Sequence, residues 1–165
     1  MTHNPTIIFV PGAWHVPEHY EPVVKDLGKH GFPAFAVSLP SVGGNPPVTS
    51  FDADVDAIIS AITSVVDQCN DVILVFHSYG GMPGTEAVGR IVEARRDTEK
   101  TNGKIKHLIY MSAHVPFEGH TLGTVLSEAF NGMDFGPVEK WQIPYWDYDV
   151  RLPPAISYLL WLHHH

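Results

Sequence analysis

One serine in this sequence stands among residues that suit a nucleophile. Residues 72–84 read VILVFHSYGGMPG, so Ser78 follows an apolar run and precedes Gly80 and Gly81. On a sharp strand-to-helix turn a serine projects its hydroxyl from the sheet, and small neighbours are needed where the backbone approaches itself. Phe76 stands where the G-x-S-x-G pattern has glycine, so we expect its ring to open the turn or shift the strand against the helix. The pattern predicts that Ser78 is a nucleophile, and an incidental turn is the alternative.

A second loop lies where a catalytic serine would need it. Residues 9–15 read FVPGAWH, a glycine-containing loop that follows an apolar run and leads into a helical pattern. Such a loop can supply a backbone N–H group to the negative charge that develops on a carbonyl oxygen under attack. The N–H group of Tyr79, directly after Ser78, would be the second donor. The two loops together favour an oxyanion hole.

Four apolar runs that would position these loops are predicted to be strands, at residues 6–10, 34–39, 72–77 and 105–112. Their continuous hydrophobicity is typical of parallel strands that are buried on both faces. Helical patterns lie between them, over residues 18–30, in the stripe from Val55 to Val66, and from Ser78 to Arg95. Ser50, Asp52 and Asp54 suit the N-terminus of the second helix. We therefore expect an α/β fold with a mainly parallel, doubly wound sheet.

The sequence changes character after the fourth apolar run. Residues 114–150 are rich in proline, glycine and aromatic side chains, with weak helical patterns at 121–130 and 152–162. We expect a core at residues 1–113 and a small helical, cap-like insertion at 114–162. Residues 163–165 are all histidine, either the remnant of a purification tag or a natural cluster.

Composition narrows the range of partners. The chain has 165 residues, 44% of them hydrophobic and 17% charged, as expected of one globular domain. Its net charge of −8 argues against nucleic acid and anionic membranes and leaves a small neutral or apolar ligand. No C-x-x-C or H-E-x-x-H motif is present, so we expect no metal site and no cofactor. A single cysteine and the lack of a signal-like N-terminus or an apolar span predict a cytoplasmic protein.

The segments IIFVPGAWH, PAFAVSLPSVGG, VILVFHSYGGMPGTEAV and IKHLIYMSAHVPFEG resemble the α/β-hydrolases, in the branch of small esterases, lactone hydrolases and hydroxynitrile lyases. The segment YDVRLPPAISYLLWL resembles the end of that branch's helical cap. The resemblance implies that Ser78 is the nucleophile and that the N–H groups of Ala13 and Tyr79 form the oxyanion hole. It also implies that Trp14 and His15 line the mouth of the pocket.

The resemblance also implies a triad acid and histidine on segments that follow the cap, and the sequence ends where those segments are expected to begin. We therefore expect a truncated form of the fold with an open sheet edge, which favours a homodimer through that edge. A fragment, a short form with a substitute base, and a chain that is no longer an enzyme all stay open. Whether this form is active stays open with them.

Several other side chains are candidates for the site. His114 and His120 follow the fourth strand and are candidate substitute bases, although polar cap residues of this kind are common. His77 should point away from the crevice, because strand neighbours alternate, and we interpret it as structural. Asp147 and Asp149 are candidate acids or solvated loop carboxylates. Trp141 and the aromatic residues after it would wall an apolar pocket or pack the cap on the core.

Three functions are compatible with these residues. The first is a serine hydrolase that acts on a carboxylic ester or lactone of a small apolar substrate. The second is a catalytically impaired, hydrolase-derived module that binds a ligand or another protein. The third is a lyase on the same scaffold, with Ser78 in proton transfer.

Overall fold

The computed structural model describes residues 4–95, 103–115 and 119 of the chain. Within these residues four parallel strands form one sheet in the order β2-β1-β3-β4. The strands are β1 (Thr6–Val10), β2 (Ala34–Ala36), β3 (Val72–His77) and β4 (Ile105–Met111). The predicted parallel α/β fold is confirmed.

Helices connect the strands, as the sequence predicts. A short 3₁₀ helix (Pro17–Tyr20) leads into α1 (Glu21–Lys29), α2 spans Asp52–Val66, and a 3₁₀ turn (Ser78–Gly80) leads into α3 (Gly81–Ala94). The first and third predicted helices thus each begin with a 3₁₀ turn. Such tight turns are frequent at helix N-termini.

Two of the predicted strands are shorter in the structure. The prediction of residues 34–39 is too long, because the ladder ends at Ala36 and only one further bond follows it, from the Val37 N–H to the Phe9 carbonyl at 2.9 Å. The fourth strand ends at Met111 rather than at residue 112, because Ser112 has a φ of 45°, which an extended strand does not allow.

The two faces of the sheet carry cores of different size. The larger core joins alternate residues of β1 and β3 to α2 and α3; its members include Ile8, Val10, Leu74, Phe76, Ile58 and Ile91. The smaller core contains Phe9, Val75 and Tyr20, with side chains of α1 packed against it. The period of two along each strand therefore sends neighbouring residues of β3 into separate cores.

Strand β4 forms one edge of the described sheet. Leu108, Ile109 and Met111 have exposed fractions of 39%, 47% and 43%. The expectation of burial on both faces holds for most of β3 but is wrong for β4 within the described residues. The cap-like segment 114–162 and the triplet 163–165 lie almost wholly outside those residues. Among the helices that the structure describes, none has the length and hydropathy needed to span a membrane.

Candidate active site

Ser78 occupies the turn between β3 and α3 in a conformation that few side chains adopt. Its φ is 50°, in the left-handed region, where a residue other than glycine is uncommon and strained. Strain of this kind persists only where the surrounding structure enforces it. A serine at such a strand-to-helix turn is the arrangement of a nucleophile elbow.

The glycines after Ser78 explain how the elbow is held. A Cβ atom at Gly80 would lie 2.5 Å from the Val10 carbonyl oxygen, at the end of β1. A Cβ atom at Gly81 would overlap the carbonyl oxygen of His114. The main chain of His114 also donates a hydrogen bond to the Ser78 carbonyl, at 3.1 Å. The elbow is therefore packed between the backbone that follows β1 and the backbone that follows β4.

The ring of Phe76 finds its space in helix α3. Phe76 is fully buried, and a Cβ atom at Gly84 would lie 2.5 Å from its Cε1 atom. Tyr110 of β4 packs edge-on against the ring, with centroids 5.1 Å apart, and its hydroxyl lies 2.7 Å from that of Thr85. The glycine expected two residues before the serine is thus matched by a glycine one turn into the following helix.

The loop after β1 lies directly against the nucleophile. A Cβ atom at Gly12 would lie 3.0 Å from the Ser78 Cβ and 3.1 Å from the His77 Nδ1. The next residues turn sharply, since Trp14 has a φ of 62° and the His15 N–H bonds to the Gly12 carbonyl at 3.1 Å. This brings Ala13, which is half-buried, into the loop beside Ser78. The predicted oxyanion loop and the predicted nucleophile are therefore neighbours.

His77 and Tyr20 tie that loop to the strand below it. The Tyr20 hydroxyl accepts a hydrogen bond from the Gly12 N–H at 3.3 Å and lies 2.7 Å from the His77 Nδ1. Burial, and then the neighbouring His15, lower the pKa of His77. A neutral imidazole accepts at one of its nitrogens, so we assign the Tyr20 O–H as the donor to Nδ1. Because His77 faces the α1 side, the structure agrees with the interpretation of this histidine as structural.

His15 packs on the same side of the sheet. Its ring contacts that of His77 in a T-shaped arrangement with centroids 4.9 Å apart, and its Nδ1 lies 2.8 Å from the Ala13 carbonyl oxygen. Trp14 and His15 thus lie beside the elbow, and their role in lining a pocket stays a prediction. Trp141, His120, Asp147 and Asp149 fall outside the described residues.

Tyr79, the residue after the nucleophile, is anchored through its side chain. Its hydroxyl donates a hydrogen bond of 2.8 Å to Oδ2 of Asp54, which is fully buried on α2. The Ser41 N–H donates to Oδ1 of the same carboxylate at 2.9 Å. Burial is the main cause that raises the pKa of Tyr79, and the charge of Asp54 adds to it. The Tyr79 side chain therefore stays a neutral hydrogen-bond donor.

His114 approaches the elbow through its main chain. It is half-buried, and burial lowers the pKa of its ring. In the part of the chain that the structure describes, no hydrogen bond joins the Ser78 hydroxyl to an imidazole. The suggestion that His114 lines the pocket or serves as a substitute base stays a prediction. Among these same residues, no group of three or more histidine, cysteine or acidic side chains is arranged to hold a metal ion.

Comparison with known proteins settles the family. A family model described as "Alpha/beta hydrolase family" matches residues 7–163. The chain belongs to the alpha/beta hydrolase family. Alpha/beta hydrolase nvfD of Aspergillus novofumigatus is 43% identical over 110 residues, which are 67% of this chain and 43% of that protein. The carbendazim hydrolyzing esterase of a Nocardioides species is 30% identical over 124 residues, 74% of this chain and 47% of that protein.

Solved structures agree on the fold of this alpha/beta hydrolase. Polyneuridine aldehyde esterase superposes with a TM-score of 0.60 at 21% identity, over 80% of this chain and 49% of that one. At this identity the likeness shows the fold alone. The hydrolase chain spans less than half the length of the curated relatives reported above.

Three site residues of this alpha/beta hydrolase are missed by sequence reasoning. Asp54 looks like an exposed partner of the helix dipole, yet it is fully buried. Its spacing of four and eight residues from Ile58 and Ile62 places it on the apolar stripe of α2, and that spacing is the signal that could have found it. Tyr20 and Gly84 carry no comparable signal, because their partners are 57 and 8 residues distant along the chain.

Proposed function

We propose that this alpha/beta hydrolase is a serine hydrolase that cleaves a carboxylic ester or lactone of a small apolar substrate. One observation carries the proposal: Ser78 has a φ of 50° at the carboxyl end of β3, with Gly12 of the neighbouring loop packed against its Cβ. Ligands of open α/β sheets bind at the carboxyl ends of the strands. The nucleophile and the donors for the oxyanion would then face the same crevice.

The reaction would follow the usual course of acyl transfer. The Ser78 Oγ attacks the ester carbonyl carbon while a base removes its proton, and the N–H groups of Ala13 and Tyr79 bind the resulting oxyanion. Collapse of the intermediate releases the alcohol, which takes up the proton, and leaves an acyl group on Ser78. Water then attacks the acyl carbon and releases the acid. The base in this scheme is a histidine that the described residues do not identify.

Covalent labelling tests the proposal directly. We expect a fluorophosphonate probe to label the full chain at Ser78, as read by peptide mass spectrometry, and we expect p-nitrophenyl acetate to be hydrolysed. Ser78→Ala should lose both, whereas Ser60→Ala, at an exposed position on α2, should keep both. A wild-type chain that shows neither labelling nor turnover would refute the proposal. If that chain still binds phenyl acetate in calorimetry, the binding-module hypothesis becomes the better one.

We also propose that the β4 edge pairs with a second copy of this chain. Support comes from the apolar side chains of β4 that remain exposed and from its place at the edge of the described sheet. Two such edges related by a twofold axis would pair in antiparallel fashion. Light scattering coupled to size-exclusion chromatography should give the mass of a dimer, and Ile109→Lys should shift it to a monomer. A wild-type monomer at all concentrations contradicts the pairing.

A further inference from the structure

A buried carboxylate lies one contact away from the proposed nucleophile. Asp54 has no exposed surface, and no basic side chain among the described residues forms an ion pair with it. Removing a carboxylate from water costs much free energy unless hydrogen bonds replace the lost hydration. Asp54 accepts two, from the Ser41 N–H and the Tyr79 hydroxyl. Such a group in a core asks for a reason beyond packing.

Both hydrogen bonds lead towards the elbow. Tyr79 directly follows Ser78 in the 3₁₀ turn, and Ser41 belongs to the loop that follows β2. The Tyr79 ring packs against the larger core, so the side chain is fixed along its length as well as at its end. Asp54 itself lies in the first turn of α2, a helix of 15 residues anchored in the same core. The carboxylate therefore joins a rigid helix to the turn that carries the nucleophile.

The Tyr79 peptide is held from two sides. On one side is Ser78, with its left-handed φ of 50°. On the other is the Tyr79 side chain, whose hydroxyl is fixed 2.8 Å from Asp54. The direction of the Tyr79 N–H depends on both constraints. Donors to an oxyanion act through preorganisation, so a small misplacement of such an N–H lowers the rate of reaction.

We propose that Asp54 and Tyr79 form a positioning pair, in which the buried carboxylate holds the Tyr79 side chain so that the Tyr79 N–H is aimed at the oxyanion. This inference rests on the proposed function and adds a residue that contacts neither substrate nor nucleophile. Its effect falls on the transition state, because an oxyanion exists only there. The turnover number kcat, rather than KM, should therefore respond to loss of the pair.

Three variants separate positioning from a merely structural role. Tyr79→Phe removes the hydroxyl and leaves the ring, and it should lower kcat for p-nitrophenyl acetate by roughly 10- to 100-fold with KM within about twofold. The double variant Asp54→Leu with Tyr79→Phe replaces both partners by apolar groups of similar shape, which restores much of the lost stability. Its kcat should stay low. Thermal unfolding of each variant is measured beside the kinetics.

A matched control removes a different hydroxyl pair on the same face of the sheet. Tyr110→Phe breaks the hydrogen bond of 2.7 Å to Thr85 and leaves Asp54 and Tyr79 untouched. It should lower the melting temperature to a similar degree but keep kcat within about twofold, since the oxyanion donor is unaffected. Recovery of both stability and kcat in the double variant would overturn the positioning role. So would a Tyr79→Phe variant that changes KM alone.

A readout that does not need turnover separates this inference from the proposed function. If wild type neither labels nor hydrolyses, the proposed function fails, and the pair is then tested by the ¹⁵N order parameter of the residue-79 amide. We expect a value near about 0.85 in wild type and below about 0.6 in the double variant. An amide as ordered in the double variant as in wild type would overturn the pair.

Discussion

The two residues before Ser78 point to opposite faces of the sheet, and those faces differ in how they hold the elbow. Phe76 enters the larger core, where it is fully buried between Gly84 of α3 and Tyr110 of β4. His77 enters the smaller core, where its ring remains half-exposed and contacts Tyr20 and His15. Packing fixes one side of the strand end, and hydrogen bonds fix the other.

The difference divides two tasks between the faces. The apolar face sets the position of β3 relative to α3, because a ring that fills its space cannot move without repacking. The polar face sets the position of the loop after β1, since the Tyr20 hydroxyl joins the Gly12 N–H to His77. Damage to the first face should lower stability most. Damage to the second should make the loop sensitive to protonation.

The largest expected effect is that of truncating Phe76. Phe76→Ala should lower the free energy of unfolding by about 3–5 kcal/mol, because it removes buried surface and leaves a cavity. His77→Ala, on the half-exposed side, should cost about 1 kcal/mol through the hydroxyl that loses its acceptor. Denaturant unfolding of the two variants gives the comparison. Equal losses would mean that the faces do not differ as we describe.

A smaller effect is expected at the glycine beneath the Phe76 ring. Gly84→Ala should destabilise the chain by about 1–3 kcal/mol, because the new methyl group would meet a buried ring. Gly89→Ala on the same helix, with no atom within 4 Å of its Cβ position, should instead stabilise it by about 0.5–1 kcal/mol. Phe76→Leu should relieve much of the Gly84→Ala cost in a double-mutant cycle. Additive effects in that cycle would contradict the contact.

The smallest effect concerns pH and sharpens the account of the polar face. Burial and His15 lower the pKa of His77 from its ordinary value of 6.5, so the folded chain takes up this proton at lower pH than the unfolded chain. The stability that His77 contributes is present above pH 6.5 and is lost as the pH falls towards its folded pKa. Unfolding measured between pH 7.5 and pH 5 should show a weaker dependence in His77→Gln than in wild type.

His114 provides the control for that measurement. Its pKa is also lowered by burial, so His114→Gln should weaken the same dependence independently. The two contributions should add, because the rings lie on different strands and share no described contact. If His77→Gln leaves the pH dependence unchanged, the buried neutral imidazole against Tyr20 is not the form present in solution.

Much of the scaffold is predictable from local sequence. The apolar runs of β1 and β3 match their strands residue for residue, because strands buried on both faces have no polar residue to blur their ends. The elbow is predictable because the chemistry of a strained turn requires glycines close by in the chain. Both are features of neighbouring residues, which a sequence displays directly.

The contacts that complete the site are not local. We expected the Phe76 ring to open the turn, yet its space comes from Gly84, and nothing at position 76 reveals which way the ring points. Asp54 reads as an N-terminal helix residue because acidic residues favour that position on exposed helices as well. Whether such a residue is exposed or buried depends on what packs over the helix. That information lies in the tertiary structure.

The bond between the His114 N–H and the Ser78 carbonyl has a consequence for how this scaffold can diversify. The chain leaves β4 at a point stapled to the nucleophile, with no room at Gly81 for even a methyl group between them. Any segment joined to this exit starts its path at the reactive serine. Exchanging that segment would give the crevice new walls while the elbow keeps its shape, so residue 115 is a natural grafting point for new substrate preferences.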